Sequence, residues 1–112
     1  MTINSRQKGA AGEREWAQFL RELGIDHARR GQQFSGGVDS PDVVGLAGTH
    51  CEVKRVEKLN VTNAMLQAIR DANEQALPYV AHRKNREEWL VTIRAQDIIG
   101  FIELLSGVFN KG

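Results

Sequence analysis

The 112-residue chain is poor in cysteine, proline and aromatic residues: one Cys, two Pro, and 6% Phe, Trp and Tyr together. A lone thiol, Cys51, closes no internal disulfide and offers no zinc cluster, which excludes a secreted disulfide scaffold and suggests a reducing compartment. No apolar run nears the roughly 18 residues that span a bilayer, and no charged-then-apolar segment opens the chain. A cytoplasmic protein with no membrane partner is expected. Net charge is scarce as well, since 15 Lys and Arg stand against 14 Asp and Glu. Any nucleic-acid partner must then be held by local basic clusters and not by a globally basic body. Repeats and low-complexity tracts are absent, so residues 1–112 read as a single domain. A chain this short buries about 65% of its unfolded surface, and oligomerisation would be a natural supplement.

What is present has clear periodicity. From Gly9 to Leu23, Trp16, Phe19, Leu20 and Leu23 recur at three- and four-residue spacing, the pattern of an amphipathic helix ended by Gly24. A short strand around His27 to Arg30 and a glycine-rich surface loop, Gly31 to Gly37, come next. Pro41–Leu46 and His50–Val56 read as two strands of a hairpin turning at Ala47-Gly48-Thr49. A second helix is expected over Val61–Ala76, with a stripe of small residues that would let it lie close on a sheet. Tyr79–His82 and Trp89–Ile93 supply two more strands. Gln96–Phe109 is apolar almost all round a helix and needs cover on two sides. The order predicts an α/β domain with a mixed sheet of about five strands flanked by helices.

Charges inside apolar strands carry the chemical information. Side chains alternate along a strand, so Glu52 and Lys54 point to one face while Cys51 and Val53 serve the other. Burying a carboxylate and an ammonium costs several kcal/mol unless they are paired, solvated or bound to a metal. Asp42 joins their face if the hairpin loop has three residues, because pairing Leu46 with His50 sets Asp42 opposite Lys54. Two adjacent carboxylates repel, and a hard divalent ion such as Mg²⁺, with Mn²⁺ as a substitute, relieves that repulsion. The Val53 carbonyl could be a further ligand. Such an ion retains water and would supply an activated nucleophile for attack on phosphorus beside Lys54. On a helical wheel Glu13 falls next to Trp16 and Leu20, at the edge of the apolar stripe, while Glu15 falls on the opposite face.

Asp42 after Pro41, followed by Glu52-Val53-Lys54, resembles the signature of the PD-(D/E)xK nuclease superfamily. With Lys8-Gly9, Glu13-Arg14-Glu15, Arg30, Ser35-Gly36-Gly37 and Pro78 to Arg83, residues 8–94 resemble the archaeal-type Holliday junction resolvases and their phage-encoded relatives. That resemblance implies a restriction-endonuclease-like core in which Glu13, Asp42 and Glu52 hold the metal, to which the Val53 carbonyl would add. Lys54 would assist the nucleophile or the phosphate. By the same resemblance Arg14, Arg30, Ser35 and Arg83 would contact DNA, and the basic cluster around Arg83 adds Lys84 to that surface. The implied activity is Mg²⁺-dependent hydrolysis of phosphodiesters in branched DNA, by a homodimer whose two sites suit a four-way junction. No small-molecule cofactor is implied. Gln67 is not read as a site residue, because the variant signature that uses a Gln sets a Tyr four residues on and position 71 is Asp.

Blander readings stay open for each residue. Glu52 and Lys54 could be an edge-strand ion pair, Asp42 turn chemistry after Pro41, and Glu13 a solvating helix charge. His82-Arg83-Lys84-Asn85-Arg86 could be a solvated face and not a phosphate grip. His27, His50 and His82 have no metal-ligand spacing among themselves, so no zinc site is expected, although His50 shares the face of Glu52. Nuclease action on flapped, nicked or duplex DNA, in repair or phage DNA processing, is the alternative within the same class. A non-catalytic DNA-binding module is the alternative outside it.

Overall fold

The computed structural model describes residues 5–31 and 41–109. Helix α1 spans Ser5–Glu22, and strands β1, β2 and β3 follow at Arg29–Arg30, Val43–Val44 and Thr49–Arg55. Helix α2 covers Val61–Ala72, β4 Leu77–Arg83 and β5 Leu90–Ile93; a 3₁₀ turn at Ala95–Asp97 leads into α3, Ile98–Phe109. The five strands lie in sequence order in one sheet. Every neighbouring pair is antiparallel except β3 and β4, which α2 connects as a parallel crossover. This is the expected mixed α/β sheet flanked by helices.

Local chemistry sets the helix ends. Gly24 takes a positive φ of 108° and donates to the Arg21 carbonyl, while Ile25 donates to Leu20 at 2.9 Å. This pair of bonds is a Schellman stop, with Ile25 folded onto Leu20 in the core. Helix α2 starts where the Asn60 side chain accepts from the Asn63 amide at 3.0 Å. It ends at Ala72, four residues before the expected Ala76, because Asn73 and then Glu74 turn left-handed. Helix α1 begins at Ser5, ahead of the expected Gly9.

The principal core lies between α1 and the sheet. Trp16, Leu20, Val43, Cys51, Val53, Tyr79 and Ala81 are buried together, and the Trp16 indole donates to the Tyr79 hydroxyl at 3.1 Å. Gly12 lets α1 approach β3, since a Cβ there would sit 3.0 Å from the Arg55 Cβ. On the other face a smaller cluster of Ala64, Met65, Ala68 and Val80 seats α2. The expected small-residue stripe is thus buried in its middle, while Val61 at its start is exposed.

Two expectations are corrected. The hairpin pairs Val43 with Cys51, two residues away from the register that would have set Asp42 opposite Lys54. Gly45 and Gly48, both at positive φ, make the connection longer than three residues. A two-residue slip leaves each side chain on its own face, so Asp42 still joins the Glu52 side. Helix α3 is covered on one side only among the described residues: Phe101 is buried against Tyr79, while Ile98, Ile99, Ile102, Leu105 and Phe109 are exposed. No described helix is long and apolar enough to cross a membrane.

Candidate active site

The site forms where β2 leaves β3. The Asp42 amide donates to the Cys51 carbonyl at 2.9 Å, and the Val53 amide donates to Asp42 Oδ2 at 2.8 Å. One carboxylate oxygen is thereby anchored, which sets the direction of the other. Within a strand the N–H and C=O of one residue project to the same edge, so the Val53 carbonyl also projects toward the Asp42 side. Glu52 is buried on the neighbouring position of β3, with Lys54 Nζ 3.7 Å from its Oε2. Alternation therefore works as the sequence pattern requires: Cys51 and Val53 fill the α1-side core, and Glu52 and Lys54 turn toward α2.

Electrostatics marks this spot. Burial, reinforced by the nearby charge of Glu13, raises the Asp42 carboxyl to about 6 against the pull of the Val53 amide and Lys54. Burial, reinforced by Asp42, raises Glu52 to about 7 although Lys54 opposes the rise. Two acids held this high beside one another make a donor set that fits a hard divalent cation, with carboxylate and carbonyl oxygens and no soft ligand. Perturbation by desolvation plus specific charges, in groups placed side by side, makes this cluster a candidate functional site.

Glu13 is nearly buried and close enough to raise both acids. Its Oε1 accepts from Arg30 Nε at 3.0 Å, so this arginine of β1 braces the site's rim. Glu15 departs from expectation. Instead of facing away it lies 2.9 Å from Arg55 Nε and 3.4 Å from Arg83 Nη1, tying α1 to the ends of β3 and β4. Arg14, Arg30 and Arg83 come together along an open cleft of about 1060 Å³ floored by Phe19 and Trp89. The Arg83 guanidinium stands 5.9 Å over the Trp89 ring, and Lys84, exposed, borders a second cleft beside Lys58. Ser35 and the glycine loop beyond Gly31 lie outside the described residues.

Three residues of this region were not read as site residues from sequence. Gln67 on α2 accepts from Lys54 Nζ at 3.3 Å and so helps to aim the ammonium. Asp71, one helical turn further on, is buried, and His50 and Glu52 lie within reach of it. A Gln and an Asp four apart on a helix share one face, a signal that could have found them together once α2 was placed against β3.

The fold is thus a restriction-endonuclease-like α/β core carrying an Asp just ahead of β2 and a Glu-x-Lys on the adjoining β3. The family model of the archaeal Holliday junction resolvases matches residues 4–99, and the chain belongs to that family. Its members are nucleases that act on branched DNA junctions. Comparison with curated proteins and with solved structures returns no match.

Proposed function

We propose that this chain is a single Mg²⁺-dependent nuclease domain that hydrolyses phosphodiesters in branched DNA, above all four-way junctions, as a homodimer. The observation that carries the reading is the Asp42–Glu52 pair, a half-buried and a buried acid raised to about 6 and about 7 with Lys54 beside them. Asp42, Glu52 and the Val53 carbonyl would hold the cation, with Glu13 at the rim. When bound, Mg²⁺ supplies neutralisation of charge on the phosphate and acidification of water. Mn²⁺ would substitute for it.

The chain's own residues do the rest. The Val53 amide fixes Asp42, so the acid pair is organised before substrate arrives. Gln67 holds Lys54 with its ammonium between Glu52 and the solvent side, where it can take a phosphate oxygen as charge builds. Arg14, Arg83 and Lys84 would grip backbone phosphates, as would Ser35. Arg30 holds Glu13 and is half exposed, so it can do both. Specificity for a branched structure then comes from backbone contacts and DNA shape. The exposed Ile99, Ile102 and Leu105 of α3 supply an apolar face for the dimer.

The test is cleavage of labelled four-way junction, flap and linear duplex by wild type and Asp42→Asn, with Mg²⁺ or chelator. Paired symmetric nicks in the junction, lost in the variant and with chelator, are the expected result. Equal cutting of all three substrates would move the reading to a general repair nuclease. No metal-dependent cutting would leave a DNA-binding module.

A further inference from the structure

The α2-facing side of β3 holds donors that the Asp42–Glu52 pair does not use. His50 precedes Glu52 by two residues and shares its face, and Asp71 comes across from α2. A ring nitrogen of His50 and one carboxylate oxygen from each acid all lie within 4.8 Å of one another, and the three residues are 4%, 4% and 6% exposed. Ligand atoms around one ion, each at roughly 2.1 Å, sit no further apart than about 4.2 Å, so side-chain shifts well under 1 Å close the set. The cations that answer these acids stand at the rim. Arg70, 3.2 Å from Asp71, has a side chain 73% exposed, and Lys54 is 31% exposed. Two acids buried side by side with their counter-charges outside are costly unless a cation enters between them.

We propose that His50, Glu52 and Asp71 form a second cation position, sharing Glu52 with the first, that takes a nitrogen-accepting divalent ion such as Mn²⁺ in preference to Mg²⁺. Mg²⁺ demands oxygen ligands and sheds water reluctantly, whereas imidazole suits transition ions. The proposal rests on the reading of Glu52 as a ligand given above. Its consequence is that the shared carboxylate is held from both sides in Mn²⁺ and from one side in Mg²⁺, so the metal supplied sets how rigidly Glu52 is presented.

The test uses the full chain without DNA and probes the metals alone. Loss of the free-ion electron paramagnetic resonance signal should count two Mn²⁺ per wild-type chain, and one in His50→Ala, Asp71→Asn or Asp42→Asn. Calorimetry should count one Mg²⁺ in wild type and His50→Ala and none in Asp42→Asn. Pulsed resonance should show nitrogen coupling to Mn²⁺ in wild type and Asp42→Asn, altered by ¹⁵N-histidine labelling, a readout that needs no substitution. Mn²⁺ bound by the wild-type chain without nitrogen coupling, whether one ion or two, overturns the second position and leaves the first standing. Unchanged Mg²⁺ binding in Asp42→Asn would instead overturn the first position alone.

Discussion

The two faces of β3 are equally buried and do opposite work. Toward α1, Cys51 and Val53 pack with Trp16 and Tyr79; toward α2, His50, Glu52 and Lys54 meet Gln67 and Asp71. Burial acts on both faces in the same way and with different consequences. It pushes the Cys51 thiol far up, which keeps the sulfur neutral and inert inside the core. It raises Glu52 to about 7, which leaves an acid that a cation can readily ionise. On the proposed reading one strand separates what stabilises the fold from what would perform the chemistry, and the separation follows from the two-residue period of a strand.

The sharpest way to break this comparison is to exchange the effects. Glu52→Gln should lower single-turnover junction cleavage by about 10³-fold, on the order of 4 kcal/mol of barrier, with melting temperature unchanged or higher because a costly buried acid is gone. Val53→Ala, one residue on, should lose about 2 kcal/mol of stability in urea melts and cleave as wild type wherever it is folded. A Glu52→Gln chain that unfolds, or a Val53→Ala chain that folds well and does not cleave, would erase the division between the faces.

A second contrast lies in α3, which sends Phe101 into the α1-side core and leaves Ile102 outside. Phe101→Glu buries a charge against Tyr79 and should abolish folding, so it cannot report on a dimer. Ile102→Glu should keep the circular dichroism of the wild type and turn a dimer into a monomer by light scattering. A variant that remains dimeric would remove this face from the interface.

The next effect is smaller and concerns pH. In chelator, Asp42 and Glu52 titrate at about 6 and about 7 in the folded chain, against about 4 when unfolded. Between those values the folded state binds more protons, so their contribution to stability is fully present below pH about 4 and lost as pH rises through 6 and 7. Stability should fall from pH 5 to pH 8 by on the order of 3–4 kcal/mol, and Mg²⁺ at pH 8 should restore part of it. Cleavage should climb through the same range as the acids ionise. Glu52→Gln should flatten the stability slope, whereas Val53→Ala should keep it; a slope equal in both would mean that other groups set it.

How much of this was legible in the sequence follows from which forces are local. Alternation in Cys51-Glu52-Val53-Lys54 assigns each side chain its face whatever the neighbours are, and the Asp42 face survived a register slip of two because the period is two. The slip itself was not legible, since it depends on the left-handed Gly45 and Gly48 and on Gly45 fitting against the Ala28 backbone. The wheel placed Glu13 but not its Arg30, which arrives from β1 seventeen residues on. It misplaced Glu15, whose long side chain reaches Arg55 and Arg83 across the layer. Asp71 and Gln67 were unreadable for the same reason: their meaning depends on α2 lying against β3, a contact between elements and not a pattern within one.

The smallest expected effect sharpens the difference between a charge already answered and a free one. Arg83 is half-buried, 3.4 Å from Glu15 and stacked over Trp89, whereas Lys84 is exposed. Each phosphate contact made by a free cation contributes about 0.9 to the slope of log affinity against log salt. Lys84→Ala should therefore flatten that slope for junction binding by close to one unit, measured by anisotropy with inactive Asp42→Asn protein. Arg83→Ala should flatten it by less, because Glu15 already screens the guanidinium and Arg55 remains on Glu15 when Arg83 is gone. A full unit for Arg83 would mean that the arginine leaves Glu15 for a phosphate when DNA docks, which makes the tie between α1 and β4 part of binding and no longer only part of the fold.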